Sequence, residues 1–186
     1  MHPSDEDLVQ RFQSGDEAAF VDIVARFDPA VLELAWRMTG DRDSGEDVRQ
    51  VAWIQIHRGL RRFEGRARLS TWIHRIVLNL CHDRRRRHAS RDQAEERFRS
   101  RRPADLPPTT PDEIHERRDL AQRVAHAVIA LPPREREVVV LRHYHELPFP
   151  AIAEILEAPV TTVKSRMAKG LELLRARLAQ LQGDPS

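Results

Sequence analysis

The chain has 186 residues, 31 Lys/Arg against 29 Asp/Glu, few aromatics and a single cysteine. That length fits one domain or two small ones, and a core drawn from Leu, Val, Ile and Ala suits helices better than sheets. No apolar run is long enough to cross a bilayer, the segment Met1 to Asp7 is acidic with no secretory signal visible, and Cys81 alone cannot form an internal disulfide, so the chain reads as cytosolic.

The net charge of +2 conceals an asymmetry: residues 1–60 carry a net −6, residues 61–102 a net +9 and residues 103–186 a net −1. A concentrated basic block on an otherwise balanced chain is the electrostatic footprint of a polyanion-binding surface, although a solvated arginine-rich tail gives the same count.

Helical periodicity predicts elements near 5–13, 16–27, 30–39, 44–63 and 70–88, then near 113–130, 134–145, 149–157 and 160–181. Ser14-x-x-Glu17 and Asp43-x-x-Glu46 have capping-box spacing, and Thr110-Pro111-Asp112-Glu113 offers a further start signal. In helix 44–63, Val48, Val51, Ala52, Ile56, Leu60 and Phe63 form the predicted core side. Glu46, Gln50, Trp53 and His57 lie roughly opposite, flanked by Asp47 and Ile54. A Trp on the polar side of an amphipathic helix suits a partner surface, and suits packing against a neighbouring helix equally well.

Loop 61–69 is basic, with Gly65 permitting a tight bend. In the next helix Trp72, Ile73, Ile76, Val77, Leu80 and Cys81 make the predicted core face. Arg75, Asn79, His82, Asp83 and Arg86 make the other, ending in the Arg84–Arg87 run. Such a face can grip a phosphate backbone and support an unpaired base, with Asp83 pairing to Arg86 or Arg87 along the helix.

Residues 89–111 hold four closely spaced prolines and almost no apolar side chains, so they are expected to form an extended linker. The architecture expected is all-α: a helical domain at 1–88, a linker at 89–112 and a second helical domain at 113–186.

In that second domain Ile152, Ala153 and Leu156 point inward, a break follows at Glu157–Pro159, and Val160, Val163, Met167, Leu171, Leu174, Leu178 and Leu181 form one stripe. This is helix-turn-helix patterning, with Thr162, Ser165, Arg166 and Lys169 on the outward face and Lys164 beside it. An αα-hairpin with a solvated face has the same pattern. Glu157 stands at the turn position where a left-handed residue, usually Gly, is favoured.

At these residues the chain resembles the extracytoplasmic-function (ECF) sigma factors, the smallest class of the sigma-70 family. "DSGEDVRQVAWIQIHRGL" resembles the core-binding helix, "LSTWIHRIVLNLCHDRRRRH" the promoter-melting and minus-ten helix. "LPPREREVVVLRHYHELPFPAIAEILEAPVTTVKSRMAKGLELLR" resembles the minus-thirty-five reader. The resemblance implies two helical domains, sigma region 2 and sigma region 4, that direct RNA polymerase to promoters and help melt them.

It implies that Asp47, Gln50, Trp53 and Ile54 meet the polymerase. Arg61, Arg62, Phe63, Arg66 and Arg68, with Ser70, Thr71, Trp72 and Arg75, would hold a base flipped from the minus-ten element, with Asn79 and Arg86 supporting the adjacent duplex. Thr161, Thr162, Lys164, Ser165, Arg166 and Lys169 would read the minus-thirty-five groove. The partners it implies are core RNA polymerase (clamp helices of the largest subunit and the beta flap), promoter DNA and an anti-sigma factor. It implies no cofactor. Glu157 and Thr161 stand where relatives commonly have Gly, and Gly170 where Ala is frequent.

Two other readings fit parts of the pattern: a stand-alone helix-turn-helix regulator, and an interaction protein whose basic helix docks on acidic partners. An enzyme or metal protein is not expected, because His143, His145 and the run from His74 to His88 lack Cys or Glu at ligand spacing.

Overall fold

The computed structural model describes residues 3–95 and 122–182, with side chains described over 3–87 and 122–180. Its elements are α1 (Asp5–Gln13), α2 (Glu17–Thr39), α3 (Arg42–Leu60), α4 (Leu69–Glu95), α5 (122–129), α6 (Pro133–His143), α7 (Phe149–Ile155) and α8 (Val160–Gln182). No strand occurs among the described residues. The start signal Thr110–Glu113 and most of the expected linker lie outside them.

The all-α expectation holds, with differences that have local causes. Segments 16–27 and 30–39 are one helix, α2, which runs through Pro29. Pro29 removes one backbone donor and crowds the preceding turn. The helix continues because Ile23 on one side of it, and Val31 and Leu34 on the other, are all buried in one core. Neither expected capping box forms. Asp16 caps α2 by accepting from the Ala18 amide, and Asp41 caps α3 by accepting from the Ser44 amide. The reciprocal box belongs to α1, where Ser4 Oγ accepts from the Asp7 amide and the Asp7 carboxylate accepts from the Ser4 amide, both at 3.1 Å. Helix α4 passes residue 88 and is described as far as Glu95.

Helices α1–α4 enclose one set of buried side chains, including Leu8, Phe12, Ile23, Leu34, Ile56, Leu60, Ile73 and Val77. Near the start of α3 the crossing with α2 is so close that a Cβ on Gly45 would lie 2.9 Å from the Trp36 Cα. Helices α5–α8 enclose a second set: Val128, Leu131, Val138, Leu141, Ile152, Val163, Met167 and Leu174. At the α6–α8 crossing Gly170 fits where a Cβ would stand 2.9 Å from Val139 Cγ2.

The two helical groups meet along a seam of α2 and α4 against α6, α7 and the residues between them. Arg136 donates to the Met38 carbonyl at 2.9 Å, and Arg37 lies over the Tyr144 ring, 3.3 Å from its centroid. His82 contacts the buried Glu137 at 2.6 Å, and Arg75 donates to the Glu154 carbonyl at 3.2 and 2.5 Å. A further contact joins His74 to His145 at 3.3 Å.

Candidate nucleic-acid and polymerase interface

On α3 the predicted surface divides in two. Asp47, Gln50 and Ile54 are exposed, Ile54 at 53 %, and Asp47 pairs with Arg84 at 3.2 Å. Val51, expected in the core, is 43 % exposed beside them, and Val21 on α2 is also exposed. Val51 leaves the core because the buried stripe Val48–Ala52–Ile56–Leu60 advances four residues at a time, which turns position 51 outward. Trp53 takes the packing alternative: its indole N–H donates to Asp28 Oδ1 at 2.7 Å, and its ring meets Phe20 edge to face at 5.9 Å. His57 lies against Phe12 and Phe20 and reaches Glu17 at 3.2 Å.

Loop 61–69 turns at Gly65, whose φ of +70 is left-handed. Arg61 bonds Glu17 at 2.7 Å and covers the Phe12 ring, Arg66 pairs with Glu64, and Arg62 and Arg68 are exposed. Phe63 stacks at a tilt on Trp72, with centroids 5.1 Å apart. Gln13 of α1 holds the loop's entry, its Nε2 donating to the carbonyls of Leu60 at 3.0 Å and Phe63 at 2.8 Å. Beneath the loop, residues including Gln10, Gln13, Phe63, Gly65 and Leu69 line a cavity of about 200 Å³.

In α4, Ser70 is half-buried and Asn79 exposed, while Arg86 pairs with Asp83 as its spacing predicts. Thr71 is buried at 4 % exposure and does not reach the surface in this arrangement. Arg75 reaches across the edge of the seam while staying partly exposed, and Glu157 lies 3.5 Å from its guanidinium. The described part of the Arg84–Arg87 run is otherwise turned outward, with Arg85, Arg86 and Arg87 exposed.

In the helix pair α7–α8, the turn closes through the Leu156 amide to the Ile152 carbonyl at 2.9 Å and the Ala158 amide to the Ala153 carbonyl at 3.0 Å. Glu157 takes the left-handed position itself, at φ +48. A non-glycine residue there costs about 1 kcal/mol, which the burial of Ile152, Ala153, Ile155 and Val163 on both sides of the turn outweighs. Val163, Met167 and Leu174 point inward. Thr161, Lys164, Ser165 and Lys169 stand fully on the solvent side of the helix start, with Thr162 and Arg166 half-buried at the edges.

Sequence reasoning missed Gln13, Arg136, His145 and the buried His74. One signal was present: Thr71, His74 and Leu78 follow three- and four-residue steps and are all buried. They make a second, mixed stripe on α4 beside the apolar one. Among the described residues no group of three or more His, Cys, Asp or Glu is placed to hold a metal ion.

This geometry is shared with known proteins. The family model for sigma-70 region 2 matches residues 23–91, and that for sigma-70 region 4 matches residues 121–174. The ECF RNA polymerase sigma factor SigW of Bacillus subtilis is 30 % identical over 179 residues, covering 93 % of this chain and 96 % of the relative. The ECF RNA polymerase sigma-E factor of Escherichia coli K12 is 31 % identical, covering 96 % of each. Among solved structures, CnrH in complex with the cytosolic domain of CnrY aligns with a TM-score of 0.68 at 26 % identity, over 93 % of this chain and 96 % of that one. The sigma factor RpoE with the anti-sigma factor NepR from Bartonella quintana shares the fold, with a TM-score of 0.71 at 21 % identity over 86 % of this chain and 96 % of that one. Two helical units in this order, matched by both region models and by relatives along nearly their whole length, place the chain in the ECF sigma factors of the sigma-70 family.

Proposed function

We propose a division of labour for this sigma factor in which α3 anchors the polymerase, loop 61–69 with α4 handles the minus-ten element, and the start of α8 reads the minus-thirty-five element. An ECF sigma factor is a transcription initiation factor, not an enzyme, and works with core RNA polymerase and promoter DNA. The observation that carries the assignment is the start of α8. Two hydroxyls (Thr161, Ser165) and two ammonium groups (Lys164, Lys169) stand on the solvent side of a helix whose inward stripe is buried. Short hydroxyls and long cations at a helix start suit phosphate docking and base-edge contact in a major groove.

Exposed Asp47, Gln50 and Ile54 support the polymerase surface. The loop cavity of about 200 Å³ is of a size to take an extruded base, with Arg62 and Arg68 free to meet phosphates. Unstacking costs a few kcal/mol per step, offset by capture of the base and by phosphate contacts. Each domain offers a small DNA interface, so polymerase must fix their spacing before the second contact becomes effectively intramolecular. The exposed apolar side chains Val21, Val51 and Ile54 are what an anti-sigma factor would cover, as a partner protein accompanies CnrH in its solved complex. On this reading the site of action is the cytoplasm, alongside RNA polymerase.

Run-off transcription with core polymerase tests the reading. Core polymerase is expected to initiate specifically at a promoter only when this chain is added, and binding by the free chain is expected to be weak and salt-sensitive. Tight, specific promoter binding by the free chain at physiological salt would instead mark a stand-alone regulator.

A further inference from the structure

The seam between the two helical groups contains a pair of histidines whose proton inventory is fixed by their surroundings. His74 Nδ1 lies 2.5 Å from the Ser70 carbonyl, and a carbonyl only accepts, so that nitrogen carries a proton. In the neutral ring His74 Nε2 is then an acceptor, and it faces His145 Nδ1 at 3.3 Å, which must donate. That leaves His145 Nε2 bare, and it is buried with no hydrogen-bond partner. The rings meet edge to face with centroids 4.9 Å apart. Each neutral ring donates once, and the chain of bonds ends on the unpartnered acceptor nitrogen of His145.

One further proton has no good place in this arrangement. On His145 Nε2 it creates a buried N–H without an acceptor. On His74 Nε2 it forces His145 into its other tautomer, whose proton sits on that same partnerless nitrogen. Either way a positive charge is added where the surroundings are cationic or already paired. From α2 comes Arg37, which is bonded to Glu33 and stacked on Tyr144. From α4 come Arg75 and His82, and from α6 Arg136 and Glu137, the last bonded to His82. From α7 and its turn come Glu154, which offers its carbonyl to Arg75, and Glu157, also beside Arg75. Among the described residues the histidine–carboxylate pairs are His57–Glu17 and His82–Glu137, so neither ring of the seam pair has a carboxylate to receive a proton.

We propose that His74 and His145 form a proton-sensitive catch between the two promoter-reading domains: neutral, the pair holds α4 against the helix-turn-helix domain; protonated, it releases them. Burial, then His74, then Arg37, push His145 down to about 3, and burial lowers His74. The neutral rings therefore favour the closed seam fully above the ordinary imidazole value of 6.5, and that contribution is lost as pH falls below it. For His145 alone, passing from about pH 7.5 to about pH 5.5 lowers the closed-to-open ratio about tenfold. Opening frees Arg75 from the Glu154 carbonyl. The consequence for DNA rests on the reading of Arg75 as a minus-ten contact, whereas the opening itself does not.

The test uses the full chain with nitroxide labels at Gln55→Cys on α3 and Ala176→Cys on α8, both exposed positions. Cys81 is buried, with its thiol pushed up to about 12, and stays unlabelled. Double electron–electron resonance is expected to show one short distance at the higher pH and a longer population at the lower. His145→Phe, which keeps the edge-to-face packing without a titrating ring, and His145→Gln, which keeps polar contact, are each expected to hold the short distance at both. His82→Gln is expected to leave the pH response intact. An unchanged wild-type distance, a response that survives in both His145 variants, or a response lost in His82→Gln while both His145 variants retain it overturns the catch. Anisotropy with a labelled minus-ten single strand separates the second reading. Opening with a gain in affinity over His145→Phe at the same pH supports both. Opening without that gain confirms the catch and removes Arg75 from the DNA contacts.

Discussion

Replacing Trp53 by Phe separates the two roles that a tryptophan on α3 can play. In the structure its indole N–H is bonded to Asp28 at 2.7 Å and its ring packs on Phe20, so the substitution removes one hydrogen bond to a carboxylate and one ring of a half-buried side chain. A bond to a charged acceptor contributes about 1.5–3 kcal/mol, and the Asp28 side chain is 30 % exposed, which puts this bond near about 1 kcal/mol. The lost apolar area adds roughly 0.5–1 kcal/mol at about 25 cal/mol per Å². The expected outcome is a loss of about 2 kcal/mol in urea unfolding, with affinity for core polymerase unchanged. Ile54→Ala should do the opposite. At 53 % exposure its removal shifts stability by no more than about 0.5 kcal/mol, while loss of an interface anchor weakens polymerase binding about tenfold. A tenfold loss of polymerase affinity in Trp53→Phe at unchanged stability would refute this reasoning, because the indole would then be spending its contacts on the partner rather than on α2.

Two further outcomes follow from other parts of the chain. Lys169→Ala should weaken promoter-region binding about equally across sequences and lower the salt slope by about one, whereas Ser165→Ala should change which base is preferred, both read from titrations at several salt concentrations. Cys81, buried and pushed up to about 12 by burial and by Glu137, should resist iodoacetamide in the folded chain and react once denaturant unfolds α4; rapid labelling of the native protein would contradict its placement.

What the sequence displayed and what it hid divide along a physical line. The α8 stripe of Val163, Met167 and Leu174 was legible because it repeats within one helix and buries against its own neighbours. Val51 was misplaced by less than one turn, since a hydrophobic side chain at the edge of a stripe carries no local mark of which side it faces. Segments 16–27 and 30–39 are expected as two helices, and long-range packing joins them into one α2 through Pro29. The left-handed Glu157 was legible as a conflict but not in its resolution, which depends on burial around the turn. The seam was hidden almost entirely. Its members are polar, come from helices far apart in sequence, and make sense only once both domains are in place. Thr71, His74 and Leu78 show the limit: their spacing is helical, but a threonine and a histidine do not announce a buried face.

Gln13 gives the first helix an unexpected weight. It lies ahead of residues 23–91, the stretch recognised as region 2, yet its amide clasps both ends of the bend that leads from α3 into the basic loop. A fragment cut to the recognised stretch would keep Phe63, Arg68 and Arg75 and lose the brace that sets the angle at which the loop leaves α3. On the proposed division of labour, the angle of the minus-ten loop is thus set partly from outside the stretch matched as region 2.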